Sequence, residues 1–208
     1  MDLKARCAAL IDSNDRSVVV LDSLVYHSAE IHEGTFIRVG SSVDGKKTLS
    51  FFQARVLRIY EIGDFQNSGR SAYLMRVAFY FDKTHLMKRD KVHSGSISSR
   101  ELFSSRLEDL LPISHFKEVV RVVAREEYER GDIDDHVYFC EAEYDIETGE
   151  ISPPLDSRPR VCVCRNIENP DYHYIMCERC EKWFHVFCVC PDENANLEER
   201  DFTCDQCT

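Results

Sequence analysis

"CERCEKWFHVFCVC", residues 177–190, holds four cysteines, a histidine and the only tryptophan in a chain of 208 residues. A tryptophan is a large apolar side chain that folds normally bury, yet Trp183 stands two residues before a histidine among metal-binding side chains. Working outward, the set reads Cys162, Cys164, Cys177, Cys180, His185, Cys188, Cys204 and Cys207. Its spacing is C-x-C, twelve residues, C-x-x-C, four residues, H-x-x-C, fifteen residues, C-x-x-C. Each close pair can put two ligands on one ion, because a tight turn brings i and i+3 together. Structural zinc takes four Cys or His ligands, so eight make two closed sites with no position left for catalytic water. Each such ion contributes on the order of 10 kcal/mol of folding free energy. That replaces the core which a segment of roughly 48 residues seldom builds alone.

The composition around this segment is that of a globular protein, 43% hydrophobic and 30% charged. No window approaches the ~18 apolar residues of a membrane helix, and "MDLKARCAALIDSND" meets charge too early for a signal peptide. A cytosolic or nuclear chain with reduced thiols is expected, so the ten cysteines read as metal ligands before disulfides. A net charge of −11 argues against tight non-specific binding to nucleic acid and suits a basic partner.

Two composition changes divide the chain. "RSVVVLDSLV", "GTFIRVG", "SFFQARVLRIYEI", "AYLMRVAFYF" and "HVYFCEAEYD" have strand length and strand composition. "SSVDGKK", "DFQNSGRS" and "DKTHLMKRDKVHSGSISS" read as the loops between them. The Val pairs of "FKEVVRVVAREEYE" favour a strand running into a turn, and "EEYERGDIDD" reads as an acidic surface loop. "KRDK" (88–91), with its embedded Asp90, reads as a solvated loop. "GEISPPLDSRPR" holds three prolines in twelve residues and is a semi-rigid connection. The expected organisation is a mainly β domain over 1–153, a proline-containing linker over 154–160 and a zinc finger over 161–208.

The pattern "CVC…CERC…WFHVFC…CDQC" resembles a plant homeodomain (PHD) finger. Histidine as fifth ligand, the short first C-x-C and "WFH" leading into that ligand carry the resemblance; RING-type ubiquitin ligases normally place histidine fourth. The resemblance implies interleaved pairing, with Cys162, Cys164, His185 and Cys188 on one zinc and Cys177, Cys180, Cys204 and Cys207 on the other. Spacing alone does not give that interleaving. Cys190 departs from the family pattern, and the H-x-x-C spacing favours Cys188 over it as ligand. Cys7 reads as a terminal thiol and Cys140 as a strand core residue.

In fingers of this family aromatic rings can form an open cage for methylated lysine, each cation–π contact being worth roughly 0.5–2 kcal/mol. Trp183 matches one wall, Tyr174 a second, and Tyr172 lies nearby. Val161 and Glu168 stand where some relatives have aromatics. "HYIMC" resembles the strand to which a histone H3 tail adds, through Ile175 and Met176. Glu178 sits where an acid pairs with the arginine two positions before the target lysine. Phe184 is expected to pack between the zinc ligands.

The first domain has its own resemblance. "RVAFYFDKT" (76–84), "RELF" (100–103), "LEDLLPI" (107–113), read as an acidic-x-x-Pro turn, and "VYFCEAEYDIETGEISP" (137–153) fall in the order of a bromo-adjacent homology (BAH) domain. Some members of that family read methylated lysine, and by position Phe52, Phe79 and Phe81 are the candidate cage walls here. Phenylalanine attracts a cation less than tyrosine or tryptophan does, and Ser104, Ser105 and Arg106 replace acidic and histidine residues common after "ELF". Phenylalanines that fill a β core in an interaction scaffold are the competing reading.

No phosphate loop or nucleophile motif stands out, so no enzyme is expected. The expectation is a nuclear, two-zinc reader of the histone H3 tail that prefers methylated lysine four. Nucleosomes or chromatin-complex subunits are further partners, and neither membrane nor sequence-specific nucleic acid binding is expected. The alternatives are a non-histone scaffold subunit and a ubiquitin-ligase-like finger.

Overall fold

The computed structural model describes residues 3–42, 49–63, 70–90, 94–131, 134, 136–190 and 201–208. Most of "SSVDGKK" and "DFQNSGRS", and parts of "KRDK" and "EEYERGDIDD", lie outside the described residues. Helix α1 (Leu3–Asp12) precedes β1 (Val18–Leu21), β2 (Ser23–Tyr26), β3 (Ala29–His32), β4 (Phe36–Ser42), β5 (Leu49–Ile62) and β6 (Ala72–Asp82). Next come α2 (Lys83–Asp90), β7 (Glu101–Pro112), β8 (Phe116–Val119), β9 (Arg121–Val123), α3 (Arg125–Arg130), β10 (Val137–Tyr144) and β11 (Ile151–Ser152). The fold is mainly β, with one sheet in the order β11-β10-β7-β6-β5-β4-β8, β1 added to β5 and β9 to β10.

The long strand β5 shows how this sheet serves two cores. Successive side chains of a strand alternate between faces, and a bulge shifts that alternation by one residue. Ala54 and Val56 face one core, and the register shift between Val56 and Arg58 against β6 lets Ile59 stay in it. Tyr60 and Ile62 then join Leu74, Leu110 and Cys7 in a second core beneath α1. Cys7 is therefore a core residue at 1% exposure, not the terminal thiol expected from its position, because α1 packs its apolar side onto the sheet.

Three further expectations change. Residues 101–112 form the single strand β7, because pairing with β6 holds "LEDLLP" extended where a turn was expected. The segment read as a loop after β6 begins with helix α2, whose Leu86 is fully buried beside Phe81 and Phe103. The "AREEYE" end of the ambiguous stretch is helix α3 instead of a turn or acidic loop. Its Tyr128 packs on Phe139, ring centroids 4.8 Å apart, and that contact outweighs the polarity around it.

Among its described residues the C-terminal segment forms two short two-stranded ribbons and one short helix. Strand β12 (Arg160–Val161) pairs with β13 (Asn166–Ile167), β14 (Tyr174–Met176) pairs with β15 (Trp183–His185), and α4 spans Val186–Val189. The proline-rich connection is pinned to the sheet domain: Arg158 donates to both carboxylate oxygens of Glu101, which is 1% exposed. Asn169 donates through Nδ2 to the carbonyls of Gly95 and Ile97 at 3.0 and 3.2 Å. Asp171 accepts from Ser98 Oγ at 2.5 Å and from the Ser99 backbone N–H at 2.7 Å. No described helix is long and apolar enough to cross a membrane.

Candidate functional site

The metal ligands are positioned by turns that the zinc-binding pattern demands. Glu181, with φ 57°, donates its N–H to the Cys177 carbonyl at 2.8 Å and closes the turn that brings Cys180 back beside Cys177. Cys162 lies in the left-handed region at φ 68°, and its N–H reaches the Trp183 carbonyl at 3.0 Å. That bond ties the first ligand to the strand that carries the fifth. The ligand atoms assemble as Cys162, Cys164, His185 and Cys188, and as Cys177, Cys180, Cys204 and Cys207, all within 4.8 Å of one another in each group. The pairing is interleaved.

Both groups fit zinc. With Zn–S about 2.3 Å and Zn–N about 2.0 Å, tetrahedral neighbours lie roughly 3.5–3.8 Å apart. Cys164 Sγ is 3.3 Å and Cys188 Sγ 4.0 Å from His185 Nδ1, and Cys180 Sγ is 3.8 Å from Cys204 Sγ. His185 is fully buried, and burial lowers its pKa, favouring the neutral imidazole that binds metal. Phe187 stacks on that ring at 4.9 Å and Tyr174 packs tilted at 4.8 Å, so aromatic contacts orient an imidazole whose Nε2 has no partner among the described residues. The Cys204 backbone N–H donates to Cys177 Sγ and brings that thiol down to about 6. Cys188 is pushed up to about 12 by burial and then by Cys162. Cys207 reaches about 12 through hydrogen bonds shared with Cys204 and Cys180. In each crowded group one thiol is lowered while a neighbour is raised, and a divalent cation removes that conflict. Cys190 belongs to neither group, and Phe184 packs among Cys177, Cys204 and Phe202.

Trp183 is half exposed, at 51%, and lines two depressions of opposite character. The first, about 410 Å³, is walled by Trp183, Tyr174, Tyr172 and Pro170 of the finger. It also takes Tyr128 and Glu129 of α3, with Glu168 beside them. The second, about 610 Å³, carries Arg160, Arg165 and Lys182. A cation is favoured by the first and repelled by the second. Tyr174 is held by Asn169, whose N–H donates to its hydroxyl at 2.8 Å and whose carbonyl accepts from it at 3.0 Å. Asn169 thus links the Tyr174 ring to the sheet domain.

Sequence reasoning missed Tyr128, Glu129 and Pro170. Glu168 occupies a position that is aromatic in some relatives, and Tyr128, some forty residues earlier in the chain, supplies a ring to the same cavity. Only tertiary contact reveals this. Arg125 of α3 pairs with Glu129 at 2.6 Å, Glu141 at 3.4 Å and Glu168 at 3.5 Å, so three carboxylates share one guanidinium.

Along the ribbon, Met176 is exposed and Ile175 packs toward the zinc ligands. Among the described residues β14 pairs only with β15, leaving its other edge open. The Glu178 carboxyl shares a hydrogen bond with Asp201, which raises its pKa.

In the sheet domain, Phe52, Phe79 and Phe81 line one cavity of about 350 Å³ with Leu107, Leu110 and Leu111. Phe52 meets Phe79 edge-on at 5.9 Å. His85, hydrogen-bonded to Asp82 at 2.7 Å, lies 4.6 Å from Phe52. The rim carries Lys4 and His115, with Asp109 paired to Lys4.

A sheet domain joined to a cross-braced two-zinc finger is the class of protein that this fold and these ligands define. The BAH domain profile matches residues 29–154, and the PHD-finger profile matches residues 162–207. The chain belongs to the BAH domain family and carries a PHD finger after that domain. It is 25% identical over 187 residues to "Chromatin remodeling protein SHL" of Arabidopsis thaliana, covering 89% of this chain and 76% of that protein. It is 32% identical over 71 residues to "Chromatin remodeling protein EBS" of the same organism, covering 34% of this chain and 30% of that one. The crystal structure of the yeast Rsc2 BAH domain aligns with a TM-score of 0.45 at 12% identity, over 64% of this chain and 53% of that chain.

Proposed function

We propose that this protein is a nuclear chromatin reader whose finger binds the N-terminal tail of histone H3, preferring methylated lysine four. It acts by binding, without a catalytic step. The observation that carries this reading is the cavity in which Trp183, Tyr174 and Tyr172 converge beside carboxylates. A methylated ammonium keeps its charge but loses hydrogen-bond donors, so ring faces suit it better than water does. The tail would add along the open edge of β14, past Ile175 and Met176, and Glu178 would take the arginine two positions before the lysine. The relatives named as chromatin remodeling proteins support the setting.

The proposed units are a sheet domain over 1–153, a linker over 154–160 and a finger over 161–208. The sheet domain is a second interaction surface. Its pocket of Phe52, Phe79 and Phe81, rimmed by Lys4 and His115, suits an apolar group of a chromatin partner better than a cation.

The test is calorimetric titration of the zinc-loaded full chain with H3 tail peptides, unmodified or methylated at lysine four, alongside Trp183→Ala. The methylated peptide binds more tightly, and Trp183→Ala removes that preference. Equal binding of all peptides, unchanged in the variant, overturns the reading.

A further inference from the structure

We infer that the methyl-lysine pocket is a two-domain site, in which Glu129 of the sheet domain and Glu168 of the finger select a lysine that retains an N–H. Mono- and dimethyl-lysine would thus be preferred over trimethyl-lysine. This rests on the methyl-lysine reading above and adds the methylation state and the residues that set it.

Three observations carry it. The cavity is walled from both domains: Tyr128 and Glu129 belong to α3, while Tyr172, Tyr174, Trp183 and Glu168 belong to the finger. The two halves are held in register by Arg125, which pairs with Glu129 at 2.6 Å and Glu168 at 3.5 Å while its own side chain is 13% exposed. They are also held through Asn169, which is 1% exposed, bonds the sheet domain with its side chain and holds the Tyr174 hydroxyl with its backbone. Finally, the acid content exceeds what Arg125 neutralises, since Glu129, Glu141 and Glu168 surround a single guanidinium.

The selectivity follows from the chemistry of the ammonium group. A trimethylammonium has no N–H and meets a carboxylate only as a diffuse charge. A dimethylammonium has one N–H and a monomethylammonium two, each able to donate a charge-assisted bond to a carboxylate oxygen, about twice as strong as a neutral one. Tyrosine and tryptophan faces take up the methyl groups in either case. An all-aromatic cage lacks that acceptor.

The experiment uses the zinc-loaded full chain and H3 tail peptides mono-, di- or trimethylated at lysine four. The wild-type protein binds the dimethyl peptide at least about threefold more tightly than the trimethyl peptide. In Glu129→Gln with Glu168→Gln, where the amides keep the shape and an acceptor oxygen but lose the charge, the ratio falls below about twofold. Glu129→Gln alone lies on an exposed helix position and moves the ratio the same way; it decides the case if the double variant loses its finger. Tighter wild-type binding of the trimethyl peptide, or an unchanged ratio in the variants, overturns the inference. Methylated-peptide affinity that is unchanged in Trp183→Ala overturns the underlying reading instead.

Discussion

The two domains of this chain solve the same problem by opposite means. The sheet domain buries Ile31, Ile37, Ile59, Met75, Phe103 and Phe139 almost completely. Among its described residues the finger buries one large aromatic, Phe184, and has only two short ribbons; its ligands must supply most of its stability. The contrast extends to their aromatic pockets. The sheet domain's pocket is phenylalanine, leucine and proline, and the one lysine at its rim, Lys4, is paired with Asp109. The finger's is tryptophan and tyrosine among carboxylates. Aromatic rings alone do not make a cation site. The quadrupole strength of the rings and the sign of the surrounding charge decide which pocket can serve as one.

Metal removal breaks the comparison most severely. Each zinc supplies on the order of 10 kcal/mol, so chelation is expected to unfold the finger and leave the sheet domain's β signature in circular dichroism. Loss of the whole fold on chelation would show that the sheet domain depends on the finger. Arg158→Ala comes next, because it leaves the buried Glu101 carboxylate without its partner. It should cost about 3–5 kcal/mol in denaturant unfolding of the sheet domain, as expected for a broken buried pair. Trp183→Ala, at a half-exposed position, should leave unfolding nearly unchanged and cost about 2 kcal/mol in methylated-peptide binding, roughly thirtyfold in affinity. The smallest effect is expected for Phe52→Ala, which should change that affinity by less than about twofold, since its pocket is apolar. A larger loss there would give the two pockets a common ligand.

What the sequence made legible, and what it hid, follows the range of the interactions. The eight zinc ligands stand in tight turns at fixed spacing, so their chemistry is local and readable. Their division between two ions came from family resemblance, and the structure brings together the same two groups. The strands "SFFQARVLRIYEI" and "HVYFCEAEYD" carry β composition and appear as β5 and β10. Helix α2 was obscured by its lysines and histidine, and only Leu86 gives it a buried anchor. The true length of β7 was hidden because strand pairing with β6 overrides the turn chemistry of its last residues. Tyr128 was the costliest miss. In sequence it is one tyrosine among six charged neighbours; packed on Phe139, it becomes a wall of a cavity in the other domain.

The central claim is that Trp183 forms the wall of a methyl-lysine pocket, and the chain offers a direct probe of it. Trp183 is the only tryptophan, so intrinsic tryptophan fluorescence of the zinc-loaded full chain reports on that one side chain. Titration with H3 tail peptide methylated at lysine four is predicted to give a saturable change in emission that unmodified peptide at the same concentration does not give. Emission that is unmoved by every methylated peptide, or that moves equally with the unmodified one, would contradict the account.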